Sequence, residues 1–148
     1  PFVLVGAIAA RRQWRLPGAA QTERTVQALN AMTWPGFSKL LEEAFRRDGY
    51  TVRPGTTASV DFELERGGRH TLVCARRWKS ARTGVEVLRA LHAARTACDA
   101  SGAMVISLGE LTDSARPFAT EHAITLWQAP ELALALRGLL PEGGRGGT

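Results

Sequence analysis

The stretch SVDFELERGGRHTLVCARRW, residues 59–78, decides the fold. Apolar and polar residues alternate on both sides of Gly67-Gly68, a dipeptide that accepts the positive φ angles of a two-residue hairpin turn. With that turn, Arg66 pairs with Arg69 and the register sets Asp61 opposite Cys74, their Cβ atoms about 5 Å apart. One face then carries Val60, Phe62, Leu64, Val73 and Ala75, an apolar surface for a helix to cover. The other carries Ser59, Asp61, Glu63, Glu65, His70, Leu72, Cys74, Arg76 and Trp78. A carboxylate near the middle of a sheet is costly to bury among charged neighbours. It marks either a site or a half-solvated face on which Asp61 and Arg76 form a diagonal ion pair.

Upstream, TWPGFSKLLEEAFRRDGY places Trp34, Phe37, Leu40, Leu41, Ala44 and Phe45 at helical spacing with Gly49 as a stop, and YTVRP follows as a strand. Downstream the spacing predicts a helix over 85–100, the strand AMVISL, a helix over about 113–122, the strand ITLW and a last helix opened by Pro130. Thr112 is expected to cap the second of these helices, with Asp113 favoured by its dipole. The order αβββαβαβα is that of an α/β domain with a mixed sheet. Residues 16–31 read as a linker with a helical turn, 32–138 as the domain proper and 139–148, rich in glycine, as a disordered tail.

The composition is that of a soluble globular protein. A formal charge of +5 over 148 residues favours polyanionic partners without naming one. Cys74 and Cys98 are the only cysteines and lack zinc-ligand spacing, and His70, His92 and His122 are scattered, so two buried free thiols in a cytoplasmic chain are expected. Nucleotide-loop, zinc-protease and serine-hydrolase motifs are absent. The opening PFVLVGAIAARRQWR reads as part of a longer chain. Its apolar run is shorter than the ~20 residues a bilayer requires, yet Arg11, Arg12 and Arg15 follow it like a cytoplasmic flank. Residues 1–15 are therefore either the end of a truncated membrane helix, tethering the domain to the cytoplasmic face of an inner membrane, or a short helix packing on the domain.

Five pieces in order, WPGFSKLLEEAFRRDGYTV, VDFELERGG, LVCARRWK, VEVLRALHAA and LTDSARPFA, resemble the Mrr-type restriction endonuclease domain, a branch of the PD-(D/E)xK nuclease superfamily. The resemblance spans about residues 33–136 and implies an αβββαβ core with a mixed sheet flanked by helices, extended by a further strand and helix. In that family an aspartate, and an acidic residue or glutamine on the next strand, hold a divalent metal, and a lysine two residues later helps to activate water. Mg²⁺ prefers hard oxygen ligands and stabilises charge on a phosphate under attack. Asp61 matches the aspartate, whereas Cys74 stands for the second ligand and Arg76 for the lysine. A thiol is too soft for magnesium, and a guanidinium stays charged and can pair with Asp61. Ser38 stands where relatives often have glutamate. Glu63, Glu42 or Glu43 would be substitute carboxylates and Lys79 a substitute lysine, although on a regular strand Lys79 points to the face opposite Arg76.

From Arg66 to Arg82 six basic residues, Arg66, Arg69, Arg76, Arg77, Lys79 and Arg82, run without an acidic one, a pattern suited to DNA phosphates or to a solvated rim. Trp78 among them reads as a packing residue. Three functional readings stay open: a DNA-binding domain with a degenerate catalytic motif, an active Mg²⁺-dependent DNA endonuclease built on Asp61 with migrated partners, and a protein-interaction module on a former nuclease fold. Homo-oligomerisation is compatible with each.

Overall fold

A computed structural model describes residues 18–140. Five helices and seven strands follow in the order α1 (Ala19–Asn30), α2 (Trp34–Arg47), β1 (Thr51–Pro54), β2 (Phe62–Arg66), β3 (Arg69–Cys74), β4 (Arg82–Thr83), α3 (Val85–Ala97), β5 (Gly102–Ile106), β6 (Glu110–Leu111), α4 (Ala115–Glu121), β7 (Ile124–Trp127) and α5 (Ala129–Ala135). The main sheet has the order β1-β2-β3-β5-β7. Its first two pairings are antiparallel and the next two parallel, because hairpins join β1 to β3 whereas helical crossovers join β3, β5 and β7. This is the mixed α/β arrangement expected from the order of elements.

Gly67 and Gly68 make the predicted turn, with φ of +60° and +80°, and Arg66 pairs with Arg69. Alternation from that turn puts Phe62, Leu64, Val73 and Ala75 into one core with Leu29, Phe37, Leu41 and Phe45 from α1 and α2, and with Leu132 and Leu136 from the α5 end. The opposite core combines Leu72, Ala103 and Val105 with Val85, Leu88 and Leu91 of α3 and with Ala115 and Ala119 of α4. The sheet is thus covered on both faces. Strand β5, Ala103 to Ile106, is buried throughout and carries no polar side chain, as a central parallel strand requires.

Four expectations need correction. Val60 packs in the α3 core rather than beside Phe62, because regular pairing of β2 begins at Phe62 and alternation does not extend back through Asp61. Strand β3 ends at Cys74 and Arg76–Lys79 form turns, so Trp78 folds into the α2 core against Phe37, the ring centroids 4.5 Å apart. The face beyond it is not half-solvated near Leu72, which is 1% exposed beneath α3. Residues 19–30, read as part of a linker, are a twelve-residue helix that packs on α5 and buries Thr25 and Leu29.

Thr112 accepts the Ala115 N–H at 3.2 Å, but the N-cap position is Ser114, whose side chain makes no capping bond, and Asp113 pairs with Arg116. Pro130 lies in the first turn of α5. A second, two-stranded parallel sheet, β4 with β6, has no counterpart in the sequence reading. Among the described residues no helix is long and apolar enough to cross a membrane. The readings of residues 1–15 and of the tail from residue 141 onward fall outside the described residues.

Candidate functional site

Where β2 begins and β3 ends, Asp61 and Cys74 are neighbours as the register demands. The Asp61 N–H donates to the Val73 carbonyl at 2.7 Å, one step beyond the last paired residues. The Asp61 side chain is 4% exposed and its oxygens are committed. Oδ2 accepts the backbone N–H of Ala75 at 2.7 Å and of Arg76 at 2.8 Å, and Oδ1 accepts Arg76 Nε at 3.2 Å. In a continuing strand those two N–H groups would be free to pair with a neighbour; here the carboxylate takes them and the chain turns. Arg76, with 65% of its side chain exposed, is held between this carboxylate and the Trp34 ring, whose centroid lies 5.0 Å away.

Cys74 is half-buried against the α3 core, whereas Cys98, expected to be buried, is exposed just beyond the end of α3. Burial first, then the Asp61 charge, push the Cys74 thiol up to about 11 against a smaller opposing pull from Arg77, so it stays protonated at neutral pH. Glu63 lies two residues along β2, engaged with His70 Nε2 at 3.1 Å and the Thr56 hydroxyl at 3.3 Å. Glu42 pairs with Arg46, and α2 covers the Phe62 face whereas Cys74 packs on the other, so neither Glu42 nor Glu43 meets the thiol. Ser38 is also on α2. Lys79 belongs to the turn and rests its Nζ 5.2 Å from the Trp78 ring centroid.

These residues do not fit a hard dication. Mg²⁺ takes close-packed oxygen ligands in near-octahedral geometry. The three family positions offer one carboxylate already accepting three hydrogen bonds, one neutral thiol and one cation. Among the described residues no group of three or more His, Cys, Asp or Glu could hold a metal.

The basic run divides in space. Arg66 and Arg69 flank the hairpin turn, and Arg66 is occupied there, donating to the Asp48 carbonyl at 2.5 Å with its guanidinium 4.3 Å from the Tyr50 ring centroid. Arg77, Lys79 and Arg82 follow the opposite end of β3, about 17 Å away at roughly 3.3 Å per residue. At that end a cleft of about 200 Å³ opens between the C-terminal ends of parallel strands β3 and β5 and the start of α3. Cys74, Val105 and Ile106 line it at the strand ends, together with Arg77, Arg82 and Glu86. Such crevices beyond strand ends are the usual ligand sites of α/β sheets.

The sequence reading missed Glu86 and the polar clasp that shapes the cleft wall. Ser107, buried behind β4, accepts the Thr83 hydroxyl at 3.2 Å and the Gly109 N–H at 3.1 Å. Gly109 approaches the loop so closely that a Cβ would run into the Ser80 and Ala81 carbonyl oxygens, and Gln128 Nε2 donates to its carbonyl at 2.8 Å. Two-residue strands leave no periodic signal, although Gly109, between the apolar run AMVISL and the polar segment that follows, was a visible hint of close backbone approach.

Two solved structures resemble the fold. The DNA modification-dependent restriction endonuclease AspBHI superposes with a TM-score of 0.60 at 15% identity, covering 86% of this chain and 37% of that one. The protein of unknown function AF1548 gives 0.50 at 12% identity, covering 58% and 53%. This chain therefore spans between a third and about half of those proteins. No curated protein matches it significantly. The restriction endonuclease family model of the Mrr type matches residues 29–136, most of the chain, and with the five-stranded mixed sheet this shows that the chain belongs to the Mrr-type restriction endonuclease family.

Proposed function

We propose that this domain binds DNA through a restriction-endonuclease fold whose catalytic constellation has been converted into a structural latch, with cleavage lost. One observation carries the reading: both Asp61 oxygens are spent on Ala75, Arg76 and the Arg76 guanidinium. A carboxylate so engaged is a strand terminator. It would have to give up its charge-assisted contact with Arg76 before Oδ1 could accept an ion. Arg77, Lys79 and Arg82, gathered at one end of β3, supply the cations for phosphate contact, an attraction that is independent of sequence and weakened by salt.

Purified protein incubated with supercoiled plasmid and Mg²⁺ or Mn²⁺ tests the lost activity. Intact plasmid is expected; cleavage that disappears in Asp61→Ala would establish the endonuclease reading instead, with Mg²⁺ as cofactor. The double change Cys74→Gln with Arg76→Lys frees Oδ1 and adds a hard oxygen, and is expected to recover weak nicking. Salt-titrated binding to a duplex oligonucleotide tests the partner. Absence of affinity at low ionic strength would leave a protein-interaction module as the surviving reading.

A further inference from the structure

We infer that the cleft beyond β3 and β5 is a metal-independent seat for a single phosphate group of a DNA strand, gripped by Arg77 and Arg82. This rests on the DNA-binding reading and specifies where one phosphate enters. Size and charge carry it.

At about 200 Å³ the cleft holds roughly seven waters' worth of volume, taking about 30 Å³ for each. That leaves room for a phosphate group. The two guanidiniums suit the phosphate oxygens.

The charge balance favours an anion. Two arginines face one carboxylate, and Cys74 contributes a neutral thiol. Asp61, the acid that would otherwise draw in a cation, is neutralised by Arg76 outside the cleft lining. The one acid in the lining, Glu86, folds back over Gly84, filling the space a Cβ there would take. It sits in the first turn of α3, where the helix dipole offsets its charge. Thr83, adjoining Arg82, is fixed to Ser107, so the arginine projects from a braced segment rather than a loose loop.

The decisive measurement is backbone amide NMR with inorganic phosphate, then with a short duplex, both in EDTA. Phosphate is expected to shift the amides of Ser80 to Val87 saturably and to compete with the duplex. Arg82→Gln and Arg77→Gln should each weaken both ligands about tenfold, while Glu86→Gln should tighten them. A duplex that binds while phosphate leaves these amides unmoved, and both arginine variants bind normally, would overturn the cleft assignment and spare the DNA reading. Phosphate binding without duplex binding would uphold the anion seat and remove DNA as its source. Mn²⁺ that broadens Glu86 and Cys74 signals, an effect lost in Glu86→Gln, would show a cation site and overturn the proposal.

Discussion

Replacing Asp61 with alanine should cost stability, and the amount can be worked from its partners. The Ala75 N–H, on a residue 1% exposed, would lose a charged acceptor with no water to replace it, a penalty of about 1–3 kcal/mol. The Arg76 N–H is on an exposed residue and finds solvent, so its loss adds about 0.5–1 kcal/mol. The ion pair with Arg76, whose side chain is 65% exposed, adds about 0–1 kcal/mol after screening. The sum is about 3 kcal/mol, or a fall in Tm on the order of 10 °C for a domain of this size. Asp61→Asn, which keeps one oxygen facing both N–H groups, should lose about half as much, and Arg76→Ala less than about 1 kcal/mol. Equilibrium urea unfolding of the three variants reads these differences. A carboxylate held in readiness for chemistry behaves oppositely, since its removal is neutral or stabilising. Asp61→Ala as stable as the parent would refute the latch.

Thiol reactivity gives an independent check: at pH 8 iodoacetamide should modify exposed Cys98 readily, and Cys74, pushed from 9.0 to about 11, roughly a hundredfold more slowly than an unperturbed thiol, as peptide mass spectrometry would resolve. Equal rates would show that the Cys74 environment is open. Burial, the Arg95 guanidinium 2.7 Å from Nδ1 and the adjacent His122 ring all hold His92 below the ordinary histidine value. The unfolded chain then takes up a proton that the fold resists, so this part of the stability is complete above about pH 6.5 and fades as pH falls below it. Thermal melts between pH 7.5 and 5 should show that loss, diminished in His92→Gln; an identical slope in the variant would assign it elsewhere. Gly109→Ala should destabilise the domain by about 2 kcal/mol or more by forcing the Ser80–Ala81 backbone away, with the largest exchange increase at the β4 and β6 amides. Unchanged exchange there would mean the clasp is dispensable.

The hairpin could be read from the sequence because everything that sets it is local: a Gly-Gly turn and a period of two fixed the pairing from Arg66↔Arg69 to Phe62↔Val73. The same logic failed where a side chain overrides the backbone pattern. Asp61 captures the N–H groups of Ala75 and Arg76, and neither Val60 nor Trp78 then lies on the face that alternation assigns. Helix α1 was hidden because its apolar residues are few and Pro17-Gly18 resembles a break; its order comes from Leu29, buried in a core built by distant residues. Six basic residues close in sequence looked like one patch, yet a strand is an efficient spacer and puts Arg66 and Arg77 at its opposite ends. Asp61, Cys74 and Arg76 are adjacent as foreseen from the register, whereas the cleft is assembled from a loop, a helix start and two strand ends that no single window of sequence joins.

The indole of Trp78 donates to the Leu29 carbonyl at 3.0 Å, the penultimate residue of α1 and the first residue of the family match. The basic turn is therefore moored to the last turn of a helix whose first ten residues, 19–28, family boundaries would discard. Trimming the protein to residue 29 would keep that carbonyl but remove the helical residues that hold it beside the Trp34, Phe37 and Trp78 rings, and the turn carrying Arg77 and Lys79 would lose a fixed anchorage while every recognised motif remained intact.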